Sequence, residues 1–240
     1  MALSTTLPIN LESRIMILSA SRNFIFIHIP KTGGLSIEAM LQDYDEKAKR
    51  NVWNRVARQI HKPLPMKDAL FGRHDSVRLV EKLSSDCKLT KMSSFAVVRN
   101  PYDHAVSHYN FLRTLPRHRY GERVRKLSFT QYLSLRQKPA SMMTEVMRKD
   151  YWFLRLPDQT SFVSDDSGNI VTKQLLRLEN LAEEWPEMRK KLGLPEAPLL
   201  HRNKGEKRDE KSYEEYYDDI SKSLVDKIYK RDFLHFGYAQ

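Results

Sequence analysis

Apolar positions in this chain form either continuous runs or stripes at helical spacing. Residues 24–29, Phe-Ile-Phe-Ile-His-Ile, make a continuous run stopped by Pro30, and residues 94–99, Ser-Phe-Ala-Val-Val-Arg, begin a second unit in the same way. Short runs without polar alternation suit strands buried on both faces of a parallel sheet. After the first comes a Gly33-Gly34 turn and then a predicted helix over residues 35–44. After the second, Asn100 supplies an N-cap and Pro101 the first helical position, predicting a helix that continues over 102–113. Between the two units, residues 76–85 place Val77, Val80 and Leu83 on one stripe, an amphipathic helix.

Further along, residues 128–136 and 141–154 read as helices, the latter with Met142, Met143, Val146, Met147 and Tyr151 as a core face. Residues 165–169 are a strong turn signal between short strands, and 175–179 form another strand. A helix over 180–192 is ended by Gly193, a charged loop covers 202–211, and a terminal helix spans 213–233. Strands alternating with helices predict an α/β fold, a P-loop-like three-layer sandwich with a central, mostly parallel sheet flanked by helices. Without a convincing linker, residues 1–240 are expected to be a single domain, with 1–22 a loosely ordered N-terminal extension.

Composition narrows the partners. Of 240 residues, 41 are Lys or Arg and 30 are Asp or Glu, a net charge of +11. Such an excess favours an anionic partner, whether nucleotide, nucleic acid, acidic glycan or membrane surface, and does not choose among them. Cys87 is the sole cysteine, so an internal disulfide is impossible and a structural zinc site is not expected. The first residues lack the basic and apolar regions of a signal peptide, and no stretch approaches a membrane span. These features predict a soluble chain in a reducing, cytoplasmic setting.

The chemistry concentrates after the two buried strands. Pro30-Lys31-Thr32-Gly33-Gly34-Leu35-Ser36 places a glycine turn between strand and helix. Backbone N–H groups there form an anion-binding concavity, which the helix N-terminus makes more positive. Lys31 adds a point charge, and Thr32 and Ser36 add hydroxyl donors. In a Walker A loop the lysine follows the last glycine; here it precedes both, so this is a different phosphate loop. The second strand ends at Arg99, a residue suited to bidentate capture of a phosphate, where a metal-using nucleotide enzyme usually offers Asp for Mg²⁺. Ser107 lies about 10 Å further along the following helix, so a phosphate touching Arg99 and Ser107 lies beside that helix.

Together, Pro30–Ser36 and Arg99-Asn100-Pro101-Tyr102-Asp103-His104-Ala105-Val106-Ser107 resemble the two cofactor signatures of the sulfotransferase superfamily. The first is similar to its 5′-phosphosulfate loop, in the short Pro-Lys-Thr-Gly-Gly form of carbohydrate-type members, and the second to its 3′-phosphate motif. Leu35 stands where Thr is common and His104 where Arg is common. Looser resemblances are Leu178-Glu179-Asn180-Leu181, His201-Arg202-Asn203-Lys204, where the family has a basic loop over the nucleotide, and the C-terminal segment 232–238.

The resemblance implies sulfuryl transfer from 3′-phosphoadenosine 5′-phosphosulfate to an acceptor hydroxyl, with carbohydrates, anionic glycans among them, as the acceptor class, and without a metal or redox cofactor. It implies donor binding by Lys31, Thr32, Gly33, Gly34, Leu35, Ser36, Arg99, Ser107, Arg202 and Lys204, with Lys31 also following the charge on the leaving phosphate. His74, between the motifs in Gly72-Arg73-His74-Asp75, resembles the family's catalytic histidine. An ordinary imidazole titrating near pH 6.5 suits a general base. His28 reads as a hydrogen-bonded core residue. His104 and His108 share a helix face, and with no carboxylate or cysteine alongside they read as solvated or substrate-facing. The basic segment 113–126 fits either an anionic-acceptor wall or a solvated surface. Two rivals follow from the same features. A P-loop kinase requires a Walker A loop and a Mg²⁺-holding Asp, and the sequence shows neither. A non-catalytic binder of anionic glycan or nucleic acid would have no use for Lys31, and nucleic acid is not the expected partner.

Overall fold

The computed structural model describes residues 16–46, 48, 51–116, 121–138, 154, 156–197 and 212–240. Four strands form one sheet in chain order: β1 (Ile17–Ser19), β2 (Phe24–Ile27), β3 (Ser93–Val98) and β4 (Gln174–Arg177). β1 runs antiparallel to β2, while β2, β3 and β4 are parallel, with Phe26 opposite Phe95 and Val97 opposite Leu176. The described helices are α1 (Gly34–Leu41), α2 (Val52–Gln59), α3 (Val77–Leu83), α4 (Pro101–Thr114), α5 (Gly121–Arg125), α6 (Phe129–Gln137), α7 (Thr160–Val163), α8 (Leu181–Lys191), α9 (Asp219–Ile228) and α10 (Lys230–Phe236).

The layers follow from the twofold side-chain period of a strand. Phe24, Phe26, Phe95 and Val97 face one way, packing with Ile37 and Leu41 of α1 and Leu181, Trp185 and Met188 of α8. Ile25, Ile27, Ala96 and Val98 face the other way, against Val77, Val80 and Leu83 of α3 and Phe162 and Val163 of α7. The central sheet with apolar contacts on both faces explains why the runs lack alternation. A third cluster joins α4, α6, α9 and α10 through Tyr102, Tyr109, Tyr132, Leu133, Val225, Tyr229 and Phe233.

Most predicted elements are present within a residue or two, as expected where caps are explicit. Ser76 caps α3, Asn100 accepts from the Tyr102 N–H at the start of α4, and Ser128 forms a capping box with Gln131 at α6. There are four differences. Ile17–Ser19, inside the segment read as an extension, form the edge strand β1, and Leu18 donates to Asp45 and accepts from the Glu46 N–H. The short strands around 165–169 reduce to a single Ser164–Ile170 bridge. The terminal helix is divided: Asp218 starts α9 with a capping box, and Tyr229, at φ −109 and ψ 21, separates it from α10. Helices α2, α5 and α7 have no counterpart in the sequence reading. The helix expected over 141–154, apart from Leu154, and the loop 202–211 lie outside the described residues.

Because β2 and β3 are adjacent and parallel, the loops leaving their C-terminal ends lie side by side. That is where open α/β sheets bind ligands.

Candidate active site

The loop after β2 is built around its own backbone. Lys31 has φ 68 and Gly33 φ 78, both left-handed, so the chain reverses its peptide orientation twice before α1 begins. Left-handed geometry costs a lysine on the order of 1 kcal/mol or more, the kind of strain that clusters at ligand-binding and active-site loops. Gly33 is the N-cap of α1 and provides no side-chain cap, while the Ser36 N–H turns back to the Gly33 carbonyl at 3.1 Å. Both glycines are needed for close approach. A Cβ on Gly33 would lie 2.5 Å from Leu178 Cδ1, and a Cβ on Gly34 would enter the His28 ring. Thr32 is fully buried, and its hydroxyl donates to the Ile29 carbonyl at 2.9 Å. Its single hydroxyl hydrogen thus holds the loop to the end of the strand. Ser36 is buried in the first turn of α1, and Leu35 is 37% exposed.

The loop after β3 docks directly on the first. Arg99 is buried, and its Nη1 donates to the Lys31 carbonyl at 3.0 Å. Its Nε and Nη2 both lie 2.7 Å from Asp103 Oδ2. A guanidinium has five N–H donors, so two remain beyond these three. Gln159 fixes the Arg99 backbone from both sides, accepting its N–H and donating to its carbonyl, each at 2.8 Å. Glu179, in the Leu-Glu-Asn-Leu segment after β4, accepts from the Asn100 N–H at 2.6 Å and from the Tyr238 hydroxyl at 2.9 Å. Ser107 is half-buried on α4.

Lys31 is half-buried, with Nζ 4.3 Å from the centroid of the Phe111 ring. Loss of water, and then the neighbouring Arg99 cation, push its ammonium down to about 8. It remains mostly cationic at neutral pH. Two cations thus sit beside an uncapped helix N-terminus, an arrangement that a bound dianion would relieve.

On the other side of the first loop stands His74. Its Nδ1 is 2.9 Å from the His28 carbonyl, and the His28 and His74 rings meet edge to face at 4.8 Å. His28 is buried, as expected, with Nδ1 2.6 Å from Glu38 Oε1. Arg73 Nε pairs with the same Glu38 oxygen at 2.9 Å. Though His74 keeps an exposed edge, withdrawal from water pushes its imidazole down to about 4, against the pull of the carbonyl hydrogen bond. The ordinary value expected from sequence is thus replaced by a base that is neutral at pH 7. The loop carrying it is pinned by Asp75, which accepts from the Gly72 N–H at 2.7 Å and pairs with Arg58 of α2 at 2.6 and 2.9 Å.

His104 and His108 correct the sequence reading. Both are buried, and their neighbours are hydrogen-bond partners instead of solvent or substrate. His104 Nε2 donates to the Pro30 carbonyl at 2.8 Å, and Nδ1 lies 3.1 Å from the Tyr229 hydroxyl. His108 Nδ1 lies 2.6 Å from the Tyr132 hydroxyl. Arg136 donates to both phenols, at 3.1 and 2.7 Å, and to the Leu156 carbonyl at 2.8 Å. Burial pushes His104 down to about 3 and His108 well down too. A polar network of neutral imidazoles and phenols around the Arg136 cation therefore ties the first loop to α4, α6 and the C-terminal helices.

A family model described as the sulfotransferase family matches residues 14–239, nearly the whole chain. The chain belongs to the sulfotransferase family. It is an enzyme of sulfuryl transfer. No curated protein and no solved structure matches it.

Within this sulfotransferase, Lys31, Gly33, Gly34, Arg99 and Ser107 come together along two adjoining loops and α4, with His74 beside them. Arg202 and Lys204 lie outside the described residues. So do residues 117–120 of the basic segment; Arg123, Arg125 and Lys126 are exposed, and Arg125 donates to the Arg113 and Leu115 carbonyls at the end of α4. The sequence reading missed Glu38, Asp103 and Phe111. Glu38 and Phe111 each stand four positions after a residue it had singled out, Gly34 and Ser107, on the same helix face, while Asp103 lies in the first turn of α4, four positions after Arg99 at the end of β3. No helix among the described residues is long and apolar enough to cross a membrane.

Proposed function

We propose that this sulfotransferase uses 3′-phosphoadenosine 5′-phosphosulfate as donor and sulfates an acceptor hydroxyl, with a carbohydrate as the acceptor class. What carries the donor assignment is the pair Lys31 and Arg99 beside the uncapped N-terminus of α1, three sources of positive potential with one carboxylate, Asp103, orienting the arginine. The Gly33–Ser36 backbone and Lys31 would hold the 5′-phosphosulfate, and Arg99 with Ser107 the 3′-phosphate. The short Pro-Lys-Thr-Gly-Gly loop is what favours a carbohydrate acceptor. Residues 1–240 are proposed to form one domain, and the sole cysteine is compatible with a reducing cytoplasmic setting.

His74 is the proposed general base. A carbonyl oxygen can only accept, so Nδ1 carries the hydrogen shared with His28 and Nε2 keeps its lone pair. Nε2 takes the acceptor proton while the acceptor oxygen bonds to sulfur and the bond from sulfur to the bridging phosphate oxygen breaks. Lys31 and the loop N–H groups stabilise the charge left on that phosphate. The products are a sulfated acceptor and 3′-phosphoadenosine 5′-phosphate, with the proton on His74.

The test is nucleotide binding in wild type and two variants. Saturating 3′-phosphoadenosine 5′-phosphate, at about 100 Kd, should stabilise the native state by about 2.7 kcal/mol, a Tm rise of roughly 5–10 °C that ATP does not match. Arg99→Ala should lose most of that rise, whereas Lys31→Ala should lower kcat by on the order of 10²-fold or more. Absence of any shift in the wild type overturns the donor assignment.

A further inference from the structure

Helix α2 turns its apolar side away from the protein. At about 100° per residue, Val52, Val56, Ile60 at the C-cap and Trp53 fall on one arc of about 100°. The arc facing the protein holds Asn54 and Ala57, the two buried residues of the helix, followed by Arg58, which reaches Asp75 and the Leu70 carbonyl. Trp53 is 76% exposed, Val52 75% and Ile60 66%. A helix stabilised only by its own domain would bury that arc instead.

Charge says what the arc fits. Between residues 47 and 67 the chain carries Lys47, Lys49, Arg50, Arg55, Arg58, Lys62 and Lys67 and no Asp or Glu. Arg55, Lys62 and Lys67 are exposed. A second copy of this chain would bring two such cationic segments together, which like-charge repulsion opposes. An anionic bilayer provides both missing complements at once, phosphates for the basic residues and an interfacial zone in which an indole sits between apolar and wet surroundings. We propose that α2 is a membrane-docking element, binding the surface of an anionic lipid bilayer with Trp53, Val52 and Ile60 inserted and the exposed Arg55, Lys62 and Lys67 against the headgroups. The inference is independent of the donor and acceptor assignments. Its consequence for them is positional: Arg58 ties α2 to the loop bearing His74, so docking would anchor that loop near the lipid surface.

The experiment is co-sedimentation of the full chain with vesicles of phosphatidylcholine alone and of phosphatidylcholine with phosphatidylglycerol. Binding should be confined to the anionic vesicles, fall with added salt, and blue-shift the tryptophan emission. Trp53→Ala and Ile60→Ser should each weaken it about tenfold or more while leaving Tm unchanged, since both side chains already face solvent. Leu234→Ala, which removes an equally exposed apolar residue on α10, should leave it unaltered. Failure to sediment with anionic vesicles, equal binding to neutral ones, or indifference to both α2 substitutions overturns the proposal. So does a Trp53→Ala variant that dissociates an oligomer in light scattering, or loses retention on a sulfated glycan, without changing vesicle binding.

Discussion

At His74 the decisive feature is which nitrogen carries the proton. The His28 carbonyl claims the hydrogen on Nδ1, and desolvation holds the ring neutral down to about pH 4. The base form is therefore present throughout the neutral range and disappears only as pH falls through that value. Lys31 limits the other side: its ammonium is depressed to about 8, so the cation is lost as pH rises through it. The kcat/KM profile should be a plateau with limbs near pH 4 and 8. His74→Ala should lower turnover about 10²–10⁴-fold and remove the acid limb, because a general base is gone. Lys31→Arg should move the alkaline limb upward, since arginine stays protonated. Near-normal turnover in a folded His74→Ala protein would assign the base elsewhere, with Glu38 and His28 next to be examined.

At the scale of the element, α1 shows two local rules in conflict. Gly34 opens the helix with ordinary helical backbone, and alanine there would improve helix propensity by about 1 kcal/mol. Yet the His28 ring occupies the space a Cβ needs. Overpacking a filled site typically costs about 1–3 kcal/mol, so the clash should win. Gly34→Ala is expected to lower Tm and, by displacing His28 and the carbonyl that orients His74, to lower kcat as well. A gain in Tm, as propensity alone would produce, would contradict this packing account. The sequence marked Gly33-Gly34 as a turn; it did not reveal that the second glycine serves a ring from the preceding strand.

At the scale of the whole molecule, the network through Pro30, His104, Tyr229 and Arg136 makes the first loop depend on the C-terminal helices. His104 is neutral when folded, its imidazole pushed down to about 3, whereas the unfolded chain binds a proton below about 6.5. Its contribution is thus present above that pH and is lost as pH falls towards 3, on the order of 2 kcal/mol at pH 5. Asp232 acts in the opposite sense: burial raises its carboxyl to about 6, so its contribution is present at low pH and lost as pH rises through 6. The comparison must therefore be between proteins. From pH 7.5 to 5, urea unfolding should show wild type losing about 2 kcal/mol more than His104→Gln, whose amide can still donate to Pro30. Equal losses would mean that His104 is not held neutral.

Sequence by itself determined what neighbours along the chain encode. Unalternating runs marked β2 and β3 as central strands, Ser76, Asn100 and Ser128 marked helix starts, and the two motifs marked the phosphate loops, because strands, caps and glycine turns are specified within a few residues. It also held the apolar arc of α2, but periodicity tells that a helix has two faces without telling which one meets the protein. Only tertiary structure decided that the arc faces outward, that His104 and His108 are buried, and that Gln159 clasps the Arg99 backbone. Each of these depends on a partner brought close by folding: Asp75 for Arg58, Tyr229 for His104, Gln159 for Arg99. The proton affinities of Lys31 and His74 belong with them, since desolvation and neighbouring charge exist only once the loops have been packed together.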